Sequence, residues 1–163
     1  MVARGTVLDA NMMFDLCVLN EWHWISTRYG PLITSSLVWN ELDVATKQSA
    51  SAHVKRVELS EAELQCVSDL GAEFGGILSL SDRSAIAVAL KRSMRCGSNE
   101  RALYAVCRAK GVESLRGLRI LKDMNSEGYM SAAQCLRAVQ RMREESNMWI
   151  TDQVVSQWAK SLR

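Results

Sequence analysis

The chain holds one proline, two histidines, five scattered cysteines and no long apolar run in its 163 residues. Each shortage removes a class of function. With Pro31 alone, no proline-rich linker divides the sequence, and no repeat or low-complexity tract interrupts it. His23 and His53 stand far apart with no companion at ligand spacing, so a histidine metal centre or a histidine base is not expected. Cys17, Cys66, Cys96, Cys107 and Cys135 include no Cys-x-x-Cys pair and are odd in number. They indicate neither a zinc site nor a disulfide framework, and read as small buried apolar residues. No apolar stretch approaches the length of a bilayer span. The opening residues Met1 to Gly5 run into a strand-like segment without the apolar core of a secretion signal, so a cytoplasmic protein with no membrane partner is expected.

What is present is an ordinary globular balance, 48% hydrophobic and 23% charged, in a length that suits one domain over residues 1–163. Gly5 to Asp9 reads as a buried strand, and Asn11 to about Trp24 as an apolar helix. Leu32 to Thr34 reads as a second strand after the break at Gly30-Pro31, with a helix capped by Ser35 or Ser36 behind it. Lys47 to His53 is polar and small, and reads as a loop. Ser60 with Glu63 forms a capping box for a helix that ends between Gly71 and Gly76. The run Ala85 to Leu90 lies in a helix from Ser81 or Asp82 to about Ser93 and is apolar nearly all round, as expected of a helix covered on several sides. Met94 to Ser98 is a short, rather polar strand, and Glu100 to Lys110 a helix closed by Gly111. Val112 to Ser114 is a last strand. Helices over Leu115 to Glu127, Ser131 to Glu145 and Thr151 to Leu162 follow. Short strands alternating with helices imply parallel pairing. The expected fold is therefore an α/β three-layer sandwich, with a core over residues 1–114 and a helical part over 115–163.

Four acids stand just past short apolar runs: Asp9, Glu41, Asp82 and Glu100. Residues leaving the carboxyl ends of parallel strands, or opening the helices behind them, gather on one edge of the sheet. Carboxylates collected there repel one another, and a hard divalent cation relieves them. Asp15, Asp43 and Asp123 read as surface acids. Charge is uneven as well. From Asp82 to Lys122 there are ten Lys and Arg against three acids, although the net charge of the chain is only +2. That excess suggests a polyanion on one face.

The order of these motifs resembles the PIN-domain nucleases, and within them the VapC-type toxins and their longer relatives. Val7-Leu8-Asp9-Ala10-Asn11 resembles the opening strand with its Asp. Ile33 to Leu42 is similar to the second motif, in which a helix presents the Glu, here Glu41. Leu78 to Ala87 resembles the third, with Asp82 opening an Ala-rich helix. Ser98-Asn99-Glu100-Arg101 is similar to the fourth, with Glu100 where the family usually has Asp. Gly111-Val112-Glu113 matches the last strand.

This resemblance implies an endoribonuclease that uses Mg²⁺ or Mn²⁺. Asp9 and Asp82 would be the main ligands, Glu100 a ligand directly or through water, and Glu41 would orient the attacking water or complete the acidic group. Asn11 and Ser98 would hold the carboxylates in place. Arg83, Arg95, Arg101 and Arg108 would contact the nucleic acid backbone. A homodimer and a small antitoxin are the partners the family suggests. Two other readings stand beside it. One is a PIN-fold module with weakened catalysis that binds nucleic acid or protein. The other is a helical nucleic-acid binder using Ser131 to Arg143, through Arg137, Arg141 and Arg143.

Overall fold

The fold follows from short strands in which successive side chains enter opposite cores. The computed structural model describes residues 4–146 and 148–163; Met1, Val2 and Ala3, on which the reading of the opening segment partly rests, lie outside them. Strand β1 (Thr6–Leu8) leads into helices α1 (Ala10–Leu19) and α2 (Trp22–Tyr29). Strand β2 (Leu32–Ser35) is followed by the single turn α3 (Ser36–Trp39), by α4 (Val44–Ala50) and by β3 (Val54–Val57). Helices α5 (Glu61–Phe74) and α6 (Leu80–Arg92) precede β4 (Arg95–Gly97). Then come α7 (Arg101–Ala109), β5 (Ser114–Leu115), α8 (Gly117–Ser126), α9 (Ala132–Glu145) and α10 (Asp152–Ala159).

All described strand pairs are parallel, in the order β3-β2-β1-β4-β5. Because side chains alternate across a strand, Val7 and Ile33 enter one apolar cluster while Leu8 and Leu32 enter the other. The first cluster is closed by α3, α5, α6 and α7, and the second by α1, α2, α4, α8, α9 and α10. This is the three-layer α/β sandwich expected from the alternation of elements. Helix α10 docks through Trp158, whose indole donates to the Leu118 carbonyl at 3.0 Å.

Several expectations need correction. The single helix from Asn11 to Trp24 is two helices. Asn20, in the left-handed conformation (φ 53°), ends α1, which Asn tolerates better than most residues. Most of the polar stretch read as a loop, Lys47 to His53, is the end of α4, because Asp43 caps that helix through the Thr46 N–H. The strand β3 behind it escaped notice because its middle residues, Lys55 and Arg56, are exposed and polar. Asp15 is buried, and Asp123 is three-quarters buried against the Tyr29 hydroxyl, so neither is a surface acid. The capping boxes at Ser60 and Ser131 form, and Gly111 (φ 71°) follows α7 as expected. Four cysteines are buried, and Cys17 is half-buried.

Candidate active site

Asp9 leaves the carboxyl end of β1 and is at once the cap of α1. Its Oδ1 accepts the Met12 N–H at 2.7 Å, and its Oδ2 accepts from the Ser98 hydroxyl. Sheet register makes the second contact. Leu8 pairs with Gly97, and the Asp9 N–H donates to the Gly97 carbonyl at 3.1 Å, so Asp9 and Ser98 leave neighbouring strands side by side. Gly97 permits this approach, since a Cβ there would lie 2.8 Å from Leu8 Cδ2. Ser98 Oγ also accepts the Glu100 N–H at 3.0 Å, and the Glu100 carboxylate in turn accepts from Asn11 Nδ2. Asp9, Ser98, Glu100 and Asn11 thus form one connected group across the starts of α1 and α7.

Asp82 comes to the same edge from another direction. Ile77 and Leu78 form no strand; Ser79 caps α6, and Asp82 in its first turn accepts the Ser79 N–H at 3.2 Å. Buried Ser84 fixes that helix on the sheet through a 2.6 Å contact between its hydroxyl and that of Ser35, at the end of β2. Asp82 and Glu100 both act on Asp9 electrostatically. Burial is the main cause raising the Asp9 carboxyl from 3.8 to about 7, against the lowering effect of the Ser98 and Met12 hydrogen bonds, and the charges of Asp82 and Glu100 raise it further. Asp9 is 2% exposed, whereas Asp82 is half-buried and Glu100 open to solvent. A buried carboxylate therefore forms the floor, with two more accessible ones at its rim.

Glu41 lies in the exposed turn beyond α3, not on a helix as expected, because that helix is a single turn ending at Trp39. The four arginines assigned to the nucleic acid separate. Arg101 is exposed at the start of α7, next to Glu100. Arg83 folds back on its own helix and on α5, reaching the carbonyls of Ser79 and Val67. Arg108 is exposed at the far end of α7. Arg95 begins β4 at the opposite edge of the sheet, 12% exposed, over the Tyr29 ring and 3.5 Å from Glu113. The length of β4 therefore lies between Arg95 and the acids. On α9, Arg141 pairs with Glu145 and Arg143 with Asp152, which leaves that face less cationic than its sequence suggests.

A further acid, Asp15, lies beside the Glu100 loop. Asp15, 2% exposed, accepts from Asn99 Nδ2 and from the Ser146 hydroxyl at 2.6 Å, and Asn99 Oδ1 accepts the Gly117 N–H at 2.8 Å. Burial raises the Asp15 carboxyl to about 6, opposed by those side-chain bonds and assisted by the charge of Glu100. The signal was available, because Asp15 lies three residues after Met12 and four before Leu19, on the apolar stripe of α1. This part-buried bond network ties the Ser98-Asn99-Glu100 loop to the end of α9.

A protein-family model described as a PIN domain matches residues 5–163. The chain belongs to the PIN-domain family. No curated protein matches it. PIN domains are in general nucleases, which suggests a nuclease-type function and a nucleic-acid substrate. No helix among its described residues is long and apolar enough to cross a membrane.

The donor set bears on the metal such nucleases use. No group of three or more His, Cys, Asp or Glu converges at ligand distance among the described residues. Mg²⁺, however, commonly binds through one or two carboxylates and retains waters. Asp82 Oδ1 and Glu100 Oε2 make no hydrogen bond among the described residues, and each Asp9 oxygen keeps acceptor capacity beyond its one partner. An all-oxygen set of this kind fits a hard divalent cation.

Proposed function

We propose that this PIN domain is a metal-dependent endoribonuclease that hydrolyses RNA phosphodiester bonds. One observation carries the reading. The buried Asp9 carboxylate is flanked by Asp82 and Glu100 at the carboxyl edge of a parallel sheet, and none of the three has a cationic partner among the described residues. Asp9 and Asp82 would hold Mg²⁺ or Mn²⁺, with Glu100 completing the set. When bound, the cation supplies charge stabilisation to the phosphoryl group under attack and acidifies water. The chain's own residues do the rest. Ser98 and the Met12 N–H fix both oxygens of Asp9, Asn11 steadies Glu100, and Ser79 steadies Asp82. Arg101 offers a guanidinium to the RNA backbone beside the acids, which orients the strand without reading its sequence. Glu41, on the exposed turn beyond α3, would orient the attacking water or complete the acidic group.

In this reading the protein is a cytoplasmic toxin of the VapC kind, homodimeric and neutralised by a small antitoxin; the family resemblance supports these assignments. The test is cleavage of single-stranded RNA with Mg²⁺ or Mn²⁺, with and without chelator. Metal-dependent cleavage that is lost in Asp9→Asn is expected. Equal cleavage by that variant contradicts the proposal.

A second reading, a PIN module with weakened catalysis that binds nucleic acid or protein, draws on one observation. Asp9 and Glu100 already spend oxygens on Met12, Ser98 and Asn11, and Glu100 carries one methylene more than the usual Asp. Retention of RNA binding with no metal-dependent cleavage would favour it.

A further inference from the structure

Besides Arg83 and Arg101, the carboxyl edge carries a further cation, Arg116, that belongs to no ion pair among the described residues. Arg116 follows Leu115 at the end of β5, where the Ser98 N–H donates to the Leu115 carbonyl at 3.1 Å, so Ser98 and Arg116 leave adjacent strands together. The next residue, Gly117, donates its N–H to Asn99 Oδ1 at 2.8 Å, which ties the backbone beside Arg116 to the loop that carries Glu100. The guanidinium of Arg116 lies 4.8 Å from the centroid of the Tyr104 ring. Tyr104 is four residues after Glu100 on α7, and its N–H donates to the Glu100 carbonyl at 3.0 Å. Helical spacing therefore stacks Tyr104 one turn behind Glu100 on the same side of α7.

This arrangement differs from that of the other arginines nearby. Arg119, one turn further along α8, is held by Glu113 and Asp123, and Arg95 by Glu113. Arg116 is exposed and has no carboxylate within ion-pair distance among the described residues. A cation–π contact holds a guanidinium over an aromatic face without consuming its N–H groups, which remain free to match the oxygens of a phosphate in pairs. A neutral ring holds the group in place without neutralising it.

We infer that Arg116, held by Tyr104, forms a subsite for a backbone phosphate of the RNA flanking the bond that is cut. The inference rests on the endoribonuclease reading. Arg116 is a binding residue and Tyr104 a positioning residue acting through it. Together with Arg101 it gives the strand a cationic track beside the acids, outside the metal ligands themselves.

The experiment measures binding of a short single-stranded RNA, over a range of salt concentrations, to the Asp9→Asn protein alone and carrying Arg116→Gln, Arg116→Lys or Tyr104→Ala. Thermal melting checks that each variant is folded. Loss of one phosphate contact on a single strand lowers the slope of log affinity against log salt by about 0.7. Arg116→Gln is expected to show that drop with about tenfold weaker binding, the effect of one charge-assisted contact. Arg116→Lys should keep the slope and bind several-fold more weakly than Arg, since the charge remains while the fork is lost. Tyr104→Ala should keep the slope and bind more weakly. In the otherwise wild-type enzyme, Arg116→Gln should raise KM and leave kcat nearly unchanged. Unaltered affinity in Arg116→Gln, or weaker binding with an unaltered slope, overturns the subsite while the endoribonuclease reading stands. If the Asp9→Asn protein binds no RNA and the wild-type protein neither binds nor cleaves it with Mn²⁺, both fall.

Discussion

The two edges of the central sheet treat charge in opposite ways. At the amino edge, Arg28, Arg95 and Arg119 meet Glu113, Asp123 and Glu127, three guanidiniums against three carboxylates, with Tyr29 packed among them. At the carboxyl edge, Asp9, Asp15, Glu41, Asp82 and Glu100 enter no ion pair among the described residues, and two of them are buried. Arg101 and Arg116 stand at the same edge, equally without carboxylate partners. Paired charges at the first edge stabilise the fold modestly. Unpaired acids at the second oppose it and make sense as places for groups from outside the chain.

The largest expected difference between the edges lies in catalysis. Asp9→Asn keeps the shape of the side chain but removes the buried charge, and RNA cleavage should fall by about a thousandfold or more, the several kcal/mol of charge stabilisation at stake. Glu113→Gln, at the amino edge, should leave cleavage unchanged. Initial rates of the two variants under one set of conditions sharpen the contrast, and a large loss in Glu113→Gln breaks it.

Stability should depend on pH at the acid edge in a definite direction. Burial places Asp9 at about 7 and Asp15 at about 6 in the folded protein, both above the ordinary 3.8. Between about 4 and 7 the native state keeps protons that the unfolded chain has released, so stability is greatest at the acid end and is lost as pH rises through that window. The effect is on the order of a few kcal/mol. Melting temperature without divalent cations should therefore fall from pH 5 to pH 8, and Asp9→Asn should flatten part of that fall. A melting temperature that rises with pH in wild type contradicts the buried acids.

A smaller effect is expected from Gly97→Ala. The added methyl would lie 2.8 Å from Leu8 Cδ2 and 3.2 Å from Thr6 Cγ2, pushing β4 from β1. The cost should be about 1–3 kcal/mol of stability. Cleavage should fall as well, because the same displacement parts Ser98 from Asp9. Denaturant unfolding and the rate assay read the two consequences together. The last of the stability changes, about 1–2 kcal/mol, is expected in Glu113→Gln: its Arg119 pair is well exposed, but Arg95, 12% exposed, loses its carboxylate partner.

Much of this contrast was legible in the sequence, but unevenly. Capping boxes and periodic apolar faces are local signals, and Ser60, Ser131 and the Ala85 to Leu90 run told their structure directly. The placement of Asp9 beside Ser98 depends on strand register, which no local pattern states; the order of family motifs supplied it. Strand β3 was hidden because its middle residues face solvent, and α4 because its cap, Asp43, precedes a stretch of small polar residues. The basic excess from Asp82 to Lys122 was read as one face. In the fold, Arg92, Arg95, Lys110 and Arg119 pair with Glu63, Glu113 and Glu73, so counting charges along the chain overstated the cationic surface. Asp15 was visible as an acid on an apolar stripe, yet what satisfies it, Asn99 and Ser146, comes from segments far away in sequence.

If the unpaired acids at the carboxyl edge hold a divalent cation, its binding depends on Asp9. Calorimetric titration of Mn²⁺ into the wild-type protein and into Asp9→Asn, near pH 8 where Asp9 is ionised, tests it most directly. One saturable site per chain is expected in wild type, weakened at least tenfold in Asp9→Asn and unchanged in Glu113→Gln. Equal Mn²⁺ affinity in wild type and Asp9→Asn, or no binding to wild type at all, would contradict it.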